Sequence, residues 1–194
     1  MLIWLGLLWL ALAIEPRYRH DWLLENLLVF VTAAVMLLTY KKFQFSLLSY
    51  GLLTLFLSLH LVGAHYTYSE TPLGFWLQGW FGWQRNHYDR LIHGAFGLLC
   101  YYPCREWLQR AATVNQRWLW LLTLSAILAF SAIFELIEAI AAMIVNPELG
   151  AAYLGTQGDE WDAQKDTLMA LLGGVAAMLS GWLINYQTRS SGTG

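Results

Sequence analysis

The stretch WLWLLTLSAILAFSAIFELIEAIAAMIV, residues 118–145, decides the fold class. As a helix rising roughly 1.5 Å per residue, it is long enough to cross a hydrocarbon core of about 30 Å. Its ionisable residues are Glu135 and Glu138, which stand within an otherwise apolar run. Since carboxylates inside a bilayer are costly, this pair indicates a functional site on a membrane-spanning helix.

The composition extends this interpretation to the whole chain. Of its 194 residues, 58% are hydrophobic and 12% are charged, and the mean hydropathy is +0.46. A soluble domain carries about 25% charged residues. We therefore expect an integral membrane protein that contacts membrane lipids. With a net charge of −2, we expect no nucleic-acid partner.

Apolar segments recur about six times, which predicts an all-α, polytopic membrane helix bundle of about six transmembrane helices. The predicted helices cover residues 2–14, 22–40, 45–64, 87–102, 118–145 and 162–186. Pro103 and Pro147 are expected to end the fourth and fifth helices, and the connection before the fourth is expected to be an interfacial loop rich in Gly and Trp. Residues 1–187 form one predicted transmembrane domain. Residues 188–194 form a polar tail, expected to be disordered or foreign to the native protein.

The first apolar segment leaves two alternatives open. At roughly 1.5 Å per residue, residues 2–14 are short for a full span. The sequence Ala11-Leu12-Ala13 also fits a signal-peptidase site, although no basic region precedes it. We expect the segment to be retained as a helix. The two cysteines, Cys100 and Cys104, are predicted to be packed thiols, because a spacing of four suits neither a disulfide framework nor a zinc ribbon.

The distribution of Lys and Arg among the connections predicts the orientation. Arg90 and Lys165 are set aside because they lie inside polar motifs and are expected to have local partners. The remaining basic residues then divide between one side (Lys41, Lys42, Arg105, Arg110, Arg117 and Arg189) and the other (Arg17, Arg19 and Arg85). The positive-inside rule predicts a multi-pass membrane protein with both termini in the cytoplasm.

A set of polar residues gathers at the predicted helix ends on the outer side. Its members are His60, His65, His87, Asp89, His93, Glu135, Glu138, Asp159, Glu160, Asp162 and Asp166. Asp89 and His93 are spaced i,i+4 and share a helix face, as do Glu135 and Glu138 at i,i+3. Glycines on the fourth and sixth helices, such as Gly97 and Gly173, favour a close approach of these helices, which would bring Asp89 and His93 near Asp162 and Asp166.

Carboxylates and imidazoles that converge from several helices are typical of a divalent-metal site. The predicted metal ligands are Asp89, His93, Glu138 and Asp166. Mixed ligation of this kind favours zinc, or iron or manganese if two ions bind, whereas an all-oxygen site would suit calcium or magnesium. The residues predicted to act catalytically beside the metal are Glu135, His60 and Asp162.

Plain structural roles compete with these assignments. His60 could be a hydrogen-bond donor in helix packing, Asp89 and His93 could form an intramembrane ion pair with Arg90, and Asp162 could cap a helix. At the level of function, a metalloenzyme acting on a lipid-linked or cell-envelope substrate is the first hypothesis. A proton- or cation-coupled transporter, a non-catalytic assembly factor and a haem protein with His60 and His93 as ligands are the alternatives.

Three motifs carry a resemblance to a known family. They are NHYDRLIHGAFG at residues 86–97, FELIEA at residues 134–139 and GDEWDAQKDTLMALLGG at residues 158–174. Together they resemble the bacterial inner-membrane YjdF-type family, which implies a location in the bacterial inner membrane and brings no established reaction. The order of an Asp-His helix, a Glu helix and an Asp-Gly helix is also distantly similar to VanZ-like membrane proteins, although Thr167 to Ala170 lacks the Asn expected after the Asp. That group's association with glycopeptide-antibiotic tolerance implies an envelope substrate.

Overall fold

In a computed structural model of the chain, residues 1–144, 150 and 154–191 are described, with side chains as far as residue 182. These residues form seven long α-helices and contain no strand, which confirms the all-α prediction. The helices are α1 (Leu2–Leu12), α2 (Arg19–Thr39), α3 (Leu47–Tyr66), α4 (Pro72–Phe81), α5 (Tyr88–Ala111), α6 (Gln116–Ile144) and α7 (Asp162–Ser191).

Three of these helices are long and apolar enough to cross a membrane, namely α2, α3 and α6. α1 is apolar but has only 11 residues, so the prediction that it is short for a full span is confirmed. α5 and α7 carry the ionisable motifs in their first two turns, where Asp89 and Asp162 lie. The membrane-spanning character of the chain therefore rests on the helices that surround these two.

The connection before α5 is not the loop that the sequence predicts, because it contains α4. Pro72 begins this helix, where its missing N–H costs nothing, and Gly82 ends it with a left-handed φ of 66°. Its large aromatic side chains are exposed, including Trp76 and Trp80, whose ring centroids lie 5.0 Å apart. Exposed tryptophans of this kind are typical of the membrane interface.

Pro103 does not end its helix, which corrects the second boundary prediction. α5 continues through Pro103 to Ala111. A proline in a helix interior costs about 3 kcal/mol, but the following turn is held by tertiary contacts. Glu106 accepts hydrogen bonds from Ser46 and Ser49 at the start of α3, and Arg110 donates to the Gln44 carbonyl. Contacts with another part of the chain thus outweigh the local signal.

The last helix begins at Asp162, as predicted, and extends further than predicted. It reaches Ser191, so it includes residues 188–191 of the expected tail, while residues 192–194 lie outside the described part. The stop predicted at Pro147 also lies outside the described residues.

α5 is the central helix, and it packs against α3, α6 and α7. Its closest neighbour is α7: a Cβ added to Gly97 would lie 1.9 Å from the Ala170 carbonyl oxygen, and one added to Gly173 would lie 2.1 Å from that of Gly94. The two backbones therefore touch, as the small residues predict. Cys100, on α5, is buried in the core, and both cysteines are free thiols, which confirms their predicted role.

Candidate functional site

Three carboxylates meet where α5 and α7 begin. Asp89 lies in the first turn of α5, and Asp162 and Asp166 are spaced i,i+4 on one face of α7. One oxygen from each of these three side chains lies within 4.8 Å of the other two. We call this group the aspartate triad. Its geometry follows from the close approach of the two helices at Gly97 and Gly173.

Asp166 is the deepest member of the triad and the least satisfied. It is 2% exposed, and its Oδ1 has no hydrogen-bond partner among the described residues. The nearest cation is the guanidinium of Arg90, whose Nε lies 3.7 Å from that oxygen, beyond hydrogen-bond distance. A buried carboxylate oxygen without a partner is costly, so this position needs a proton or a cation.

Two arginines hold the carboxylate of Asp162. Arg85 donates to both of its oxygens, at 2.7 and 3.1 Å, and Arg90 donates to Oδ1 at 2.8 Å. Arg90 and Lys165 also bind Asp159, at 2.5 and 2.6 Å. We call Arg85, Arg90, Asp159 and Lys165 the charged rim. The prediction that Arg90 and Lys165 have local partners is confirmed.

The charged rim sets the ionisation of Asp159. Hydrogen bonds from Lys165 and then Arg90 hold the pKa of this carboxyl well below its usual range. Arg85 also donates to the carbonyl oxygen of Thr156 at 2.8 Å, which fastens the segment before α7 to the start of α5. The charged rim therefore borders the site with paired charges of both signs.

His93 connects α5 to α6 beside the triad. Its Nε2 lies 3.1 Å from Glu135 Oε1 and 3.7 Å from Asp89 Oδ1, and its Nδ1 lies 3.2 Å from Ser131 Oγ. The imidazole is buried among these groups. The structure thus brings the side chains of Asp89, His93 and Glu135 together.

Glu138 and Glu25 continue the acidic cluster into the bundle. Glu138 is 8% exposed, and its electrostatic neighbours include Glu25, Asp89, Glu135 and Asp166. Glu25, on α2, is 3% exposed, and its Oε2 has no hydrogen-bond partner within the described part of the chain. Sequence analysis missed Glu25. The available signal was its i,i+4 spacing from Asp21, but both residues resemble an ordinary polar helix start.

His60 lies next to this cluster with both ring nitrogens engaged. Nε2 lies 3.1 Å from the Glu25 carbonyl oxygen, to which it donates, so Nδ1 accepts from the Tyr68 hydroxyl at 2.5 Å. As a proton acceptor for a substrate, His60 would therefore have to act through Tyr68.

Tyr68, also missed by sequence analysis, reaches His60 through a turn with positive φ at two non-glycine residues, 55° at Thr67 and 48° at Tyr68. Its ring folds back onto Gly63, where a Cβ would lie 2.6 Å from it. Such a backbone persists only where its surroundings fix it.

Three of the predicted polar residues lie apart from the cluster. His65 Nδ1 lies 2.9 Å from the Leu12 carbonyl oxygen, so it joins α3 to α1. His87 packs edge-on against Trp83, and its pKa is lowered by burial and by the charges of Arg90 and Arg85. Glu160 is exposed. These side chains serve local structure or face outward, and the site does not include them.

An apolar cleft of about 720 Å³ opens from the cluster and runs along α5 between α2, α3 and α6. His60, Tyr68, Asp89 and His93 line one end of it, and Lys42, Phe43 and Trp107 line the other. Wall residues on α2 and α6 are half exposed at their outer edges, for example Val35 at 54% and Phe130 at 53%. The cleft is thus open sideways, between two helices that face the membrane.

Comparison with known proteins gives the family. A family model described as "Predicted membrane protein (DUF2238)" matches residues 1–187. The chain is 37% identical over 177 residues to inner membrane protein YjdF of Escherichia coli (strain K12), covering 90% of this chain and 84% of that protein. No solved structure matches the chain. Neither match concerns VanZ-like proteins, and that similarity stays a prediction. The relative supports a location in the bacterial inner membrane, and the chain belongs to the DUF2238 family of predicted membrane proteins.

Proposed function

We propose that this protein is a divalent-cation-dependent membrane enzyme that acts on the phosphoryl or acyl group of a lipid-linked substrate. One observation carries the proposal: the aspartate triad, with the buried and unpartnered Oδ1 of Asp166, reaches through Asp89 to the polar end of an apolar cleft open to the membrane. Acidic side chains without a partner attract a cation, and an apolar cleft attracts a lipid chain. The two features together suit an amphipathic substrate.

The ligands that we propose are Asp89, Asp162 and Asp166. This set keeps Asp89 and Asp166 from the sequence-based ligands and adds Asp162, because one oxygen of Asp162 lies within 4.8 Å of an oxygen of each of them. Three carboxylates favour magnesium or manganese. Zinc or iron would need the imidazole of His93, which lies 3.7 Å from Asp89 and is already directed at Glu135.

The remaining residues take roles that follow from their contacts. A bound cation would polarise a phosphoryl or acyl oxygen and lower the pKa of a bound water. Arg85 and Arg90 point their guanidinium groups at the same place, where they would stabilise negative charge on the substrate. The Glu135–His93 pair, at 3.1 Å, would accept and return the proton of the attacking group.

A second candidate function is proton- or cation-coupled transport. The observation in its favour is that Glu25 and Glu138 continue the cluster beyond the three carboxylates that one ion needs. Buried carboxylates in series are typical of proton relays in membranes. Transport would require a second route out of the cluster, and the cleft is apolar over most of its length.

Metal content of the detergent-purified protein tests the first proposal. Elemental analysis after incubation with manganese and dialysis should give close to one ion per chain in the wild type and none in Asp89→Asn and Asp166→Asn. Glu160→Gln is the matched control, since it removes an exposed carboxylate near the site and should keep the ion. Wild-type protein without an ion would overturn the proposal. Uptake of protons or cations into liposomes would then support the transporter.

A further inference from the structure

We infer that the cleft binds a single polyprenyl chain that reaches past the middle of the bilayer, and that the substrate is a polyprenyl phosphate. The preference for a polyprenyl chain follows from the cleft alone, whereas the position of the phosphate group rests on the proposed function. The occupant is a lipid of the surrounding membrane, and three features of the cleft argue for it.

The first feature is length. Asp89 and Trp107 both line the cleft and stand eighteen positions apart on α5 (107 − 89 = 18). At roughly 1.5 Å per residue they are separated by about 27 Å along the helix, whereas one leaflet of the hydrocarbon core is about 15 Å thick. The tails of a glycerophospholipid headed at the triad would end near the middle of the cleft. A polyprenyl chain, which is several times longer, would fill it.

The second feature is access from the membrane. α2 packs against α3, and α6 packs against α5 and α7, so the two walls of the cleft belong to separate sides of the bundle. Val31 and Val35 on α2 and Phe130 and Ile133 on α6 line the cleft and remain half exposed. A lipid chain can therefore enter sideways without passing through water. Soluble proteins rarely expose an apolar surface of this size, so the opening is suited to contact with lipid.

The third feature is the distribution of polar groups. Five polar lining residues, His60, Tyr68, Asp89, His93 and Ser131, stand together at one end of the cleft, and the remainder is apolar except for the hydroxyls of Thr32 and Thr39 and, at the opposite end, Lys42. A ligand that fits has one compact polar head and one long apolar chain. Arg85 and Arg90 do not line the cleft, but they are bound to Asp162 beside Asp89, where they would supply positive charge for a phosphate, and a cation bound by the triad would add to it.

Binding of uncharged lipids tests the chain preference without any cation. The purified wild-type protein is titrated with undecaprenol and with dioleoylglycerol in the presence of EDTA, and the complexes are counted by native mass spectrometry. We expect undecaprenol to bind at least about tenfold more tightly. Equal binding, or tighter binding of dioleoylglycerol, would overturn the inference.

Two tryptophan variants locate the bound chain. Val35→Trp fills the cleft wall, whereas Leu38→Trp adds the same side chain one turn away on α2, at a residue that is 82% exposed and does not line the cleft. Val35→Trp should weaken undecaprenol binding by roughly tenfold, and Leu38→Trp should leave it unchanged. An equal effect of the two would show that the chain does not lie in the cleft.

Lipids with a phosphate head separate this inference from the proposed function. Undecaprenyl phosphate and dioleoyl phosphatidate share a phosphomonoester and differ in their chains. With manganese present, undecaprenyl phosphate should bind more tightly than undecaprenol, and Asp166→Asn should remove that difference. If manganese leaves the affinity for undecaprenyl phosphate unchanged while the preference for undecaprenol over dioleoylglycerol persists, the proposed cation chemistry is wrong and the inference of a polyprenyl-binding cleft stands.

Discussion

The two ends of α5 bury carboxylates in opposite ways. Near its C-terminal end, Glu106 accepts hydrogen bonds from the backbone N–H of Ser46 at 2.9 Å, from the hydroxyls of Ser46 and Ser49, and from Arg110. Near its N-terminal end, Asp89 meets Asp162 and Asp166, and the Asp166 Oδ1 accepts nothing from the described residues. Glu106 is surrounded by donors, whereas the cluster at the other end leaves a buried carboxylate oxygen of Asp166 unpaired among the described residues.

This difference separates a structural charge from a functional one. A buried carboxylate with matched donors holds its neighbours in place, and Glu106 joins the start of α3 to α5 in this way. A cluster with unmatched acceptors costs stability in the empty protein, and folding alone gives no reason to keep it. The unpaired oxygen of Asp166 therefore indicates a function at the triad, in contrast to the fully paired carboxylate of Glu106.

The largest expected effect is on cation binding at the triad. Asp166→Asn removes the unpartnered charge and should lower manganese affinity by at least about a hundredfold, above what changes around a metal site usually cost. The same substitution should leave the protein equally stable or more stable without the ion, because it removes charge repulsion in a buried cluster. Isothermal titration and thermal unfolding measure the two quantities. A loss of stability in the ion-free variant would contradict the comparison between the ends.

Glu106→Gln supplies the opposite result at the other end of the helix. It replaces a charged acceptor by a neutral one beneath four donors and should lower the free energy of unfolding by about 1.5–3 kcal/mol. Cation affinity should not change, because Glu106 lies about 25 Å along α5 from Asp89, at roughly 1.5 Å per residue. Denaturation in mixed micelles gives the free energy. A fall in manganese affinity would show that the two ends are coupled.

The approach of α5 to α7 gives the third prediction. Gly97→Ala places a methyl group against the Ala170 carbonyl oxygen and should cost about 1–3 kcal/mol by separating the helices. It should also weaken cation binding, because Asp89 and Asp166 lie on the separated helices. Gly94→Ala is the matched control, since its Cβ would lie 3.5 Å from the flexible end of Met169. Equal effects of the two substitutions would rule out this explanation of the triad geometry.

Tyr68→Phe tests the hydroxyl that a strained turn places beside the site. The substitution removes the hydroxyl that donates to His60 and leaves the buried His60 Nδ1 without its donor, at a cost of about 1–3 kcal/mol. If the His60 imidazole acts through Tyr68, activity on a lipid phosphate should fall while cation affinity is kept. Tyr101→Phe is the control, because the Tyr101 hydroxyl, farther along α5, donates to the backbone carbonyl of Trp120 on α6. Unchanged activity would assign Tyr68 a structural role only.

Sequence alone predicts most of this fold because membrane spans leave a strong pattern. The run that holds Glu135 and Glu138 gives a helix, and the glycines at residues 94, 97 and 173 give the contact that builds the triad. The misses have local causes. Pro103 carries a strong stop signal that contacts of Glu106 with α3 outweigh, and α4 is hidden in a segment whose glycines and tryptophans resemble a loop.

The candidate site is only partly predictable, for a physical reason. Spacing along one helix places Asp89 with His93, but it does not say which partner faces them from another helix. Glu25 enters the cluster through the packing of α2 on α3, and Tyr68 enters through two residues with positive φ. Neither feature leaves a periodic trace. The sequence thus predicts site residues such as Asp89 and His93, which share a helix, and it does not predict Glu25 and Tyr68, which tertiary packing brings to the site.

The smallest expected effect is at the charged rim, where charge is paired and accessible to water. The pKa of Asp159 is lowered below the usual 3.8 by Lys165 and Arg90, so the unfolded state takes up its proton first as the pH falls. The stability from this pair is therefore constant above about pH 5 and disappears as the pH falls from about 4 toward the folded pKa. Thermal unfolding of the wild type and Asp159→Asn should differ slightly at pH 7, differ less in 1 M salt, and approach each other as the pH falls below about 4. Glu160→Gln, which removes the same charge from an exposed neighbour, should differ from the wild type by less than Asp159→Asn at pH 7. A difference that grows as the pH falls would mean that Asp159 is protonated in the folded protein, and the rim would then resemble the triad more than it resembles Glu106.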